Sequence, residues 1–196
     1  FEEALTLAHA SLDLSEKNTV LELKSTSLNM VGDAYTSLGK YDIALEYYIN
    51  ELAVREECND TSGIANASRN IAIMCCHLGM YSKALNNFTK ALELNQELGD
   101  KRMAGGNLVN IGNVYSFMSA LDKALEYYGK AIEVFEEIGE KSFYARVLGN
   151  IGVIYSYLGM YDTALQYLNS GVAAYEELHD ISAVMGITGN IGLVYK

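Results

Sequence analysis

Apolar positions along this chain follow helical spacing. Leu108, Ile111, Tyr115 and Met118 stand at i, i+3, i+7 and i+10. Ala124, Leu125, Tyr128, Ala131, Ile132 and Phe135 form a second stripe of the same kind. Such a stripe is the buried face of an amphipathic helix, and the alternation that marks a strand is absent. Breaks fall at regular places. Gly39, Gly79, Ser119 and Gly159 close one set of helices, and Cys58-Asn59-Asp60, Leu98-Gly99-Asp100, Ile138-Gly139-Glu140 and Leu178-His179-Asp180 close the other. Glycine suits the left-handed residue that ends a helix. Asp60, Asp100 and Asp180 suit the cap of the helix that follows, and Asp42, Asp122 and Asp162 its first turn. The pattern predicts ten helices, at 1–17, 20–38, 41–58, 61–78, 81–98, 101–118, 121–138, 141–158, 161–178 and 181–196.

The stripes recur every 40 residues: Asn110-Ile111-Gly112 is matched by Asn70-Ile71-Ala72, Asn150-Ile151-Gly152 and Asn190-Ile191-Gly192. Tyr41-Asp42-Ile43-Ala44-Leu45 is matched by Tyr81-Ser82-Lys83-Ala84-Leu85, Leu121-Asp122-Lys123-Ala124-Leu125 and Tyr161-Asp162-Thr163-Ala164-Leu165. A fixed period of this size marks stacked units, each burying its apolar face only against its neighbours. The predicted fold class is all-α, an α-solenoid, with residues 1–196 as one domain of four full repeats and half a repeat at each end. Gly32, Ala72, Gly112, Gly152 and Gly192 on the first helices, with Ala44, Ala84, Ala124 and Ala164 on the second, supply small residues where helices cross. Gly112 is expected to face Ala124. A mid-helix glycine costs about 1 kcal/mol against alanine, so its recurrence implies compensation by close packing. Phe1 aligns with Tyr41, and Lys196 falls partway through a first helix, which suggests a piece of a larger polypeptide.

The net charge of −11 disfavours a nucleic-acid partner or an anionic membrane, and Lys and Arg are scattered. There is no proline to kink a helix. No apolar run approaches the length of a membrane span. Cys58, Cys75 and Cys76 form no CxxC pair, and Cys75 takes a slot held by Tyr in other repeats. Buried thiols in a reduced, cytoplasmic protein are expected.

The repeat resembles the tetratricopeptide repeat. The residues that carry the resemblance are Leu108, Ile111-Gly112, Tyr115, Ser119, Leu121, Ala124, Tyr128 and Ala131 in one unit. In the next they are Leu148, Ile151-Gly152, Tyr155, Gly159, Tyr161, Ala164, Leu168 and Gly171. The period is 40 rather than about 34, and the closing proline is missing. Both features resemble the longer-repeat branch, found in spindle-orientation adaptors of the Pins/LGN type, kinesin light chains and bacterial sensory proteins. The resemblance implies a right-handed superhelix of antiparallel helix pairs whose first helices line a peptide-receiving groove.

Carried over by position, that groove comprises Asn29, Asp33 and Ser37; Asn66, Arg69, Asn70, Ile73 and His77; Val109, Asn110, Asn113 and Phe117; and Arg146, Asn150, Val153 and Tyr157. The ladder Asn70, Asn110, Asn150, Asn190 admits two roles. Its carboxamides can pair with the backbone of an extended peptide, or they can tie neighbouring repeats together. Phe117 and Tyr157 fit an anchor pocket, with His77 one unit before, or packing between helices. A clamp for a chaperone's C-terminal carboxylate needs several basic slots, and only Arg69 is basic among Asn29, Val109 and Gly149.

Catalytic chemistry has no signature here. Gly149-Asn150-Ile151-Gly152 lacks the strand and lysine of a phosphate loop. Glu56-Glu57, Glu136-Glu137 and Glu176-Glu177 recur at one phase, as a solvated face does, and His9, His77 and His179 lack metal-ligand spacing. No cofactor or enzymatic activity is expected. The partner is expected to be a protein or an extended peptide, with no nucleic acid and no membrane. Two functions fit: an adaptor groove, or a ligand- or peptide-sensing domain regulating a cyclase, histidine kinase or transcription regulator outside this chain. Gly105, Gly106, Gly149, Gly186 and Gly189, added to the repeat glycines, would soften the stack and suit a sensor. The last helix should leave Ile191, Val194 and Tyr195 uncovered, to fray or to support end-to-end self-association.

Overall fold

Each apolar stripe becomes one helix, and each break one tight turn. The computed structural model describes residues 5–12 and 21–195, apart from the side chain of Leu193. Its helices are α1 (residues 5–12), α2 (Leu21–Ser37), α3 (Tyr41–Glu57), α4 (Thr61–His77) and α5 (Tyr81–Glu97). They continue as α6 (Lys101–Phe117), α7 (Leu121–Glu137), α8 (Lys141–Tyr157), α9 (Tyr161–Glu177) and α10 (Ile181–Val194). No strand occurs among the described residues. The expected helix ends at 1–4, 13–17, 20 and 196 lie outside them. From α3 to α9 each helix stops one residue before the expected end, because Cys58, Leu78, Leu98, Met118, Ile138, Leu158 and Leu178 serve as C-caps.

The turns share one hydrogen-bond pattern. After α4 the Met80 N–H reaches Cys75 O at 2.8 Å and the Gly79 N–H reaches Cys76 O at 3.1 Å. After α8 Met160 and Gly159 repeat this with Tyr155 and Ser156. The residue between is left-handed, with φ of 71° at Gly79, and glycine takes that conformation without steric cost. Asn59, Ser119 and His179 adopt it as well, at φ of 54°, 59° and 55°. The turn therefore persists where the glycine is lost, because packing on both sides holds it. Asp60, Asp100 and Asp180 cap the next helix as expected, accepting from the amides of Gly63, Met103 and Ala183.

The chain divides into two compact units, Phe1–Gly99 and Asp100–Lys196. In the first, α2 pairs with α3 and α4 with α5, and α3 packs on α4. In the second, α6 pairs with α7 and α8 with α9, while α10 packs on α9 and α8. Each unit is thus a stack of helix pairs, and the architecture is that of an α-solenoid. Tyrosine pairs stack within the helix pairs, Tyr35 on Tyr47 in the first unit and Tyr115 on Tyr127 and Tyr155 on Tyr167 in the second, with ring centroids 5.4–5.5 Å apart. The equivalent positions in α4 and α5 hold Cys75 and Asn87. Cys75 is buried, but Cys58 is exposed at the end of α3, so the expectation of buried thiols fails there.

A Cβ on Gly112 would meet the Tyr128 ring at 2.6 Å, and one on Gly32 would meet Tyr48 at the same distance. The recess admits an aromatic ring of the partner helix. A Cβ on Gly105 or Gly152 would likewise meet Phe135 or Leu168, so these glycines are packing recesses and not points of softness. Gly149 is buried against Ile187. In α10, Ile191 and Val194 pack partly against the core of Ala145, Leu168, Tyr175 and Ile187. Of the three residues expected to lose cover, Tyr195 is the exposed one. No helix among the described residues is long and apolar enough to cross a membrane.

Candidate functional site

The first helices of the second unit carry their polar and aromatic residues on one face. Asn110, Asn113 and Phe117 recur at i, i+3 and i+7 on α6; Arg146, Asn150, Val153 and Tyr157 at i, i+4, i+7 and i+11 on α8. With Val109, Ser116, Ser119, Leu121 and Tyr128 they line a cavity of about 730 Å³. Phe117 and Tyr157 are 64% and 75% exposed.

The packing recess orders the polar floor of this cavity. Because Gly112 has no side chain, the Tyr128 ring lies against α6, and its hydroxyl donates to Asn113 Oδ1 at 2.6 Å. Burial pushes the Tyr128 phenol up to about 12, so it stays protonated and remains a donor. Asn150 Nδ2 donates to the same Asn113 oxygen at 3.3 Å. One member of the asparagine ladder therefore ties neighbouring repeats together. Asn110 makes no side-chain hydrogen bond among the described residues, which leaves its carboxamide for other partners.

The first unit has a second groove, of about 470 Å³, lined by Asn29, Asp33, Glu51, Arg55, Asp60, Ser62, Gly63, Asn66, Arg69 and Asn70. Its floor is ionic. Arg55 Nη1 pairs with Asp60 Oδ2 at 2.7 Å, and Arg55 Nε lies 3.5 Å from Glu51 Oε1. Asn29 Nδ2 donates to Glu51 Oε2 at 3.0 Å. Glu51 is only 2% exposed, and burial raises its carboxyl above the usual range despite Asn29 and Arg55. Tyr48, over Gly32, donates to Asp33 Oδ1 at 2.7 Å, so the recess device operates here too.

The expected site residues thus fall in three places. Asn110, Asn113, Phe117, Arg146, Asn150 and Tyr157 converge on the larger cavity. Arg69 and Asn70 line the ionic groove. His77 belongs to neither lining; its ring stacks on Tyr41 with centroids 4.1 Å apart. Glu51, Arg55 and Asp60 were not anticipated as groove residues. The signal was present, since Glu51 stands where other repeats have Ala91, Ala131 and Gly171, and Arg55 where they have Asn95, Phe135 and Tyr175. No cluster of His, Cys, Asp or Glu among the described residues is arranged to hold a metal ion.

The family model of the tetratricopeptide repeat matches residues 23–97 and 102–177. Curated proteins yield no match. Aspartyl phosphate phosphatase F from Bacillus subtilis is similar in structure, with a TM-score of 0.80 at 21% identity over 86% of this chain and 44% of that one. The STAND signal transduction ATPase PH0952 from Pyrococcus horikoshii, which has a tetratricopeptide repeat sensor, gives a TM-score of 0.81 at 19% identity. That match covers 90% of this chain and 28% of the ATPase, so the chain spans less than half of either protein. Kinesin light chain-like repeats from Podospora anserina give 0.77 at 12% identity, covering 91% of this chain and 88% of theirs. At these identities the likeness is one of fold.

Proposed function

This chain belongs to the tetratricopeptide-repeat family, and from that premise we propose that it is a non-catalytic scaffold that binds an extended peptide or protein segment in the groove of its second unit. The observation that carries this reading is the convergence of Asn110, Asn113, Phe117, Arg146, Asn150 and Tyr157 on one cavity. Carboxamides offer donor and acceptor to a peptide backbone, and exposed aromatic rings offer a seat for an apolar side chain. In the first unit the same reading gives Arg69 and Asn70 a place in that unit's own polar groove and leaves His77 to packing. A second reading, ligand sensing on behalf of an attached effector, draws support from the likeness to the repeat sensor of the STAND ATPase.

The test is selection of peptides on the full chain, followed by titration against variants. Asn110→Ala should weaken binding by about 1 kcal/mol, the cost of one unpaired amide, and Phe117→Ala by more. Circular dichroism should show both variants fully helical. Selected peptides that bind both variants as tightly as the parent would refute the groove.

A further inference from the structure

The cavity of the second unit carries one kind of charge at one end. Arg146 is the only ionisable residue of either sign among Asn110, Asn113, Phe117, Val153 and the rest of its lining, apart from the tyrosines. Two guanidiniums lie on the Phe143 ring, Arg102 at 4.9 Å and Arg146 at 4.5 Å from its centroid. Their charges have different fates. Arg102 pairs with Glu140 at 2.9 Å, whereas no carboxylate pairs with Arg146 among the described residues. The aromatic face therefore holds the Arg146 guanidinium in place without neutralising it.

The other end of the same stripe is aromatic. Arg146 and Tyr157 lie eleven residues apart on α8. At 1.5 Å per residue that is about 16 Å along the helix. An extended peptide covers about 3.3 Å per residue, so it spans this distance in about five residues. On the reading of this cavity as a peptide groove, we infer that its ligand carries a single Asp or Glu side chain about five residues from a large apolar or aromatic side chain. The carboxylate pairs with Arg146 and the apolar group seats on Phe117 and Tyr157. A run of acids is disfavoured, because the whole chain carries a net charge of −11 and repels it.

The test uses fluorescein-labelled, C-terminally amidated decapeptides of Ser and Thr that carry Glu and Phe five positions apart, in either order. Fluorescence anisotropy with the full chain reads the tighter of the two orders. Replacing the peptide's Glu by Gln should weaken binding about three- to fivefold, the range of an exposed charge pair. With Arg146→Gln protein the same replacement should change nothing, and Arg146→Glu protein should prefer a Lys peptide. Replacing the peptide's Phe by Ala should cost about tenfold, as should Phe117→Ala in the protein. Equal binding of Glu and Gln peptides with the Phe dependence intact would overturn the acidic assignment and leave the groove standing. A Gln peptide with a free carboxyl terminus that matches the Glu peptide would overturn the assignment to a side chain. Loss of both the Phe and the Phe117 dependence, or no binding at about 1 mM peptide, would overturn the groove reading as well.

Discussion

The two units solve one packing problem and line their grooves with opposite chemistry. Stepping 80 residues from the first groove to the second replaces Asn29 by Val109, Asp33 by Asn113, Asn66 by Arg146 and Asn70 by Asn150. Beneath them Glu51 gives way to Ala131 and Arg55 to Phe135. The recess stays constant: Tyr48 over Gly32 and Tyr128 over Gly112 both aim a hydroxyl at the residue after the glycine. In the first unit the charged side chains satisfy one another, Arg55 with Glu51 and Asp60, so most of the groove's charge is spent on the fold. In the second the floor is polar but uncharged, with Tyr128 and Asn150 both donating to Asn113. Repeat packing fixes where a lining residue sits, and single substitutions decide whether it serves the core or a partner.

The largest expected difference lies at the paired positions 55 and 135. Phe135 is fully buried, and Phe135→Ala should cost about 4 kcal/mol through transfer and cavity terms. Arg55→Ala leaves Glu51 without its cation, but Glu51 can take up a proton, which limits the cost to about 2 kcal/mol. Urea denaturation followed by circular dichroism measures both, and equal costs would erase the distinction between a buried apolar position and an ionic one. Next come Gly32→Ala and Gly112→Ala. Each forces a methyl onto a tyrosine ring and should destabilise by about 2 kcal/mol. The two values should agree, because the recess is the feature both units share; a harmless Gly112→Ala would show that Tyr128 is not seated by it.

A smaller effect sharpens the comparison by pH. Burial holds the Glu51 carboxyl above its usual range, so the folded state binds its proton more tightly than the unfolded chain. That contribution is present in full below the unfolded carboxyl pKa and is lost as pH rises through the folded one. Glu51→Gln removes the proton-binding site and should flatten this decline. The stability of the parent relative to Glu51→Gln should therefore fall between mildly acidic and neutral pH, and a difference that instead grows with pH would contradict the burial argument. Ala131 offers no such titration, so Ala131→Gly should show no matching pH dependence.

Much of this was legible in the chain itself. Helical periodicity, the fixed 40-residue step and the capping aspartates are local or near-local signals, and they account for the helices from α2 onward to within a few residues. The face holding Asn110, Phe117, Asn150 and Tyr157 was legible too, because side-chain direction on a helix follows from spacing alone. Three things awaited the tertiary structure. Gly112 receives the Tyr128 ring, since which atom fills a recess depends on how two helices are set against each other. Asn150 bonds Asn113 across repeats while Asn110 stays open, although both occupy the same slot of the period. Arg102 and Arg146 share a ring, yet only one meets a carboxylate. Periodicity assigns each residue a position. Whether a hydrogen bond or an ion pair forms there depends on distances of a few tenths of an ångström, which only the packed neighbours determine.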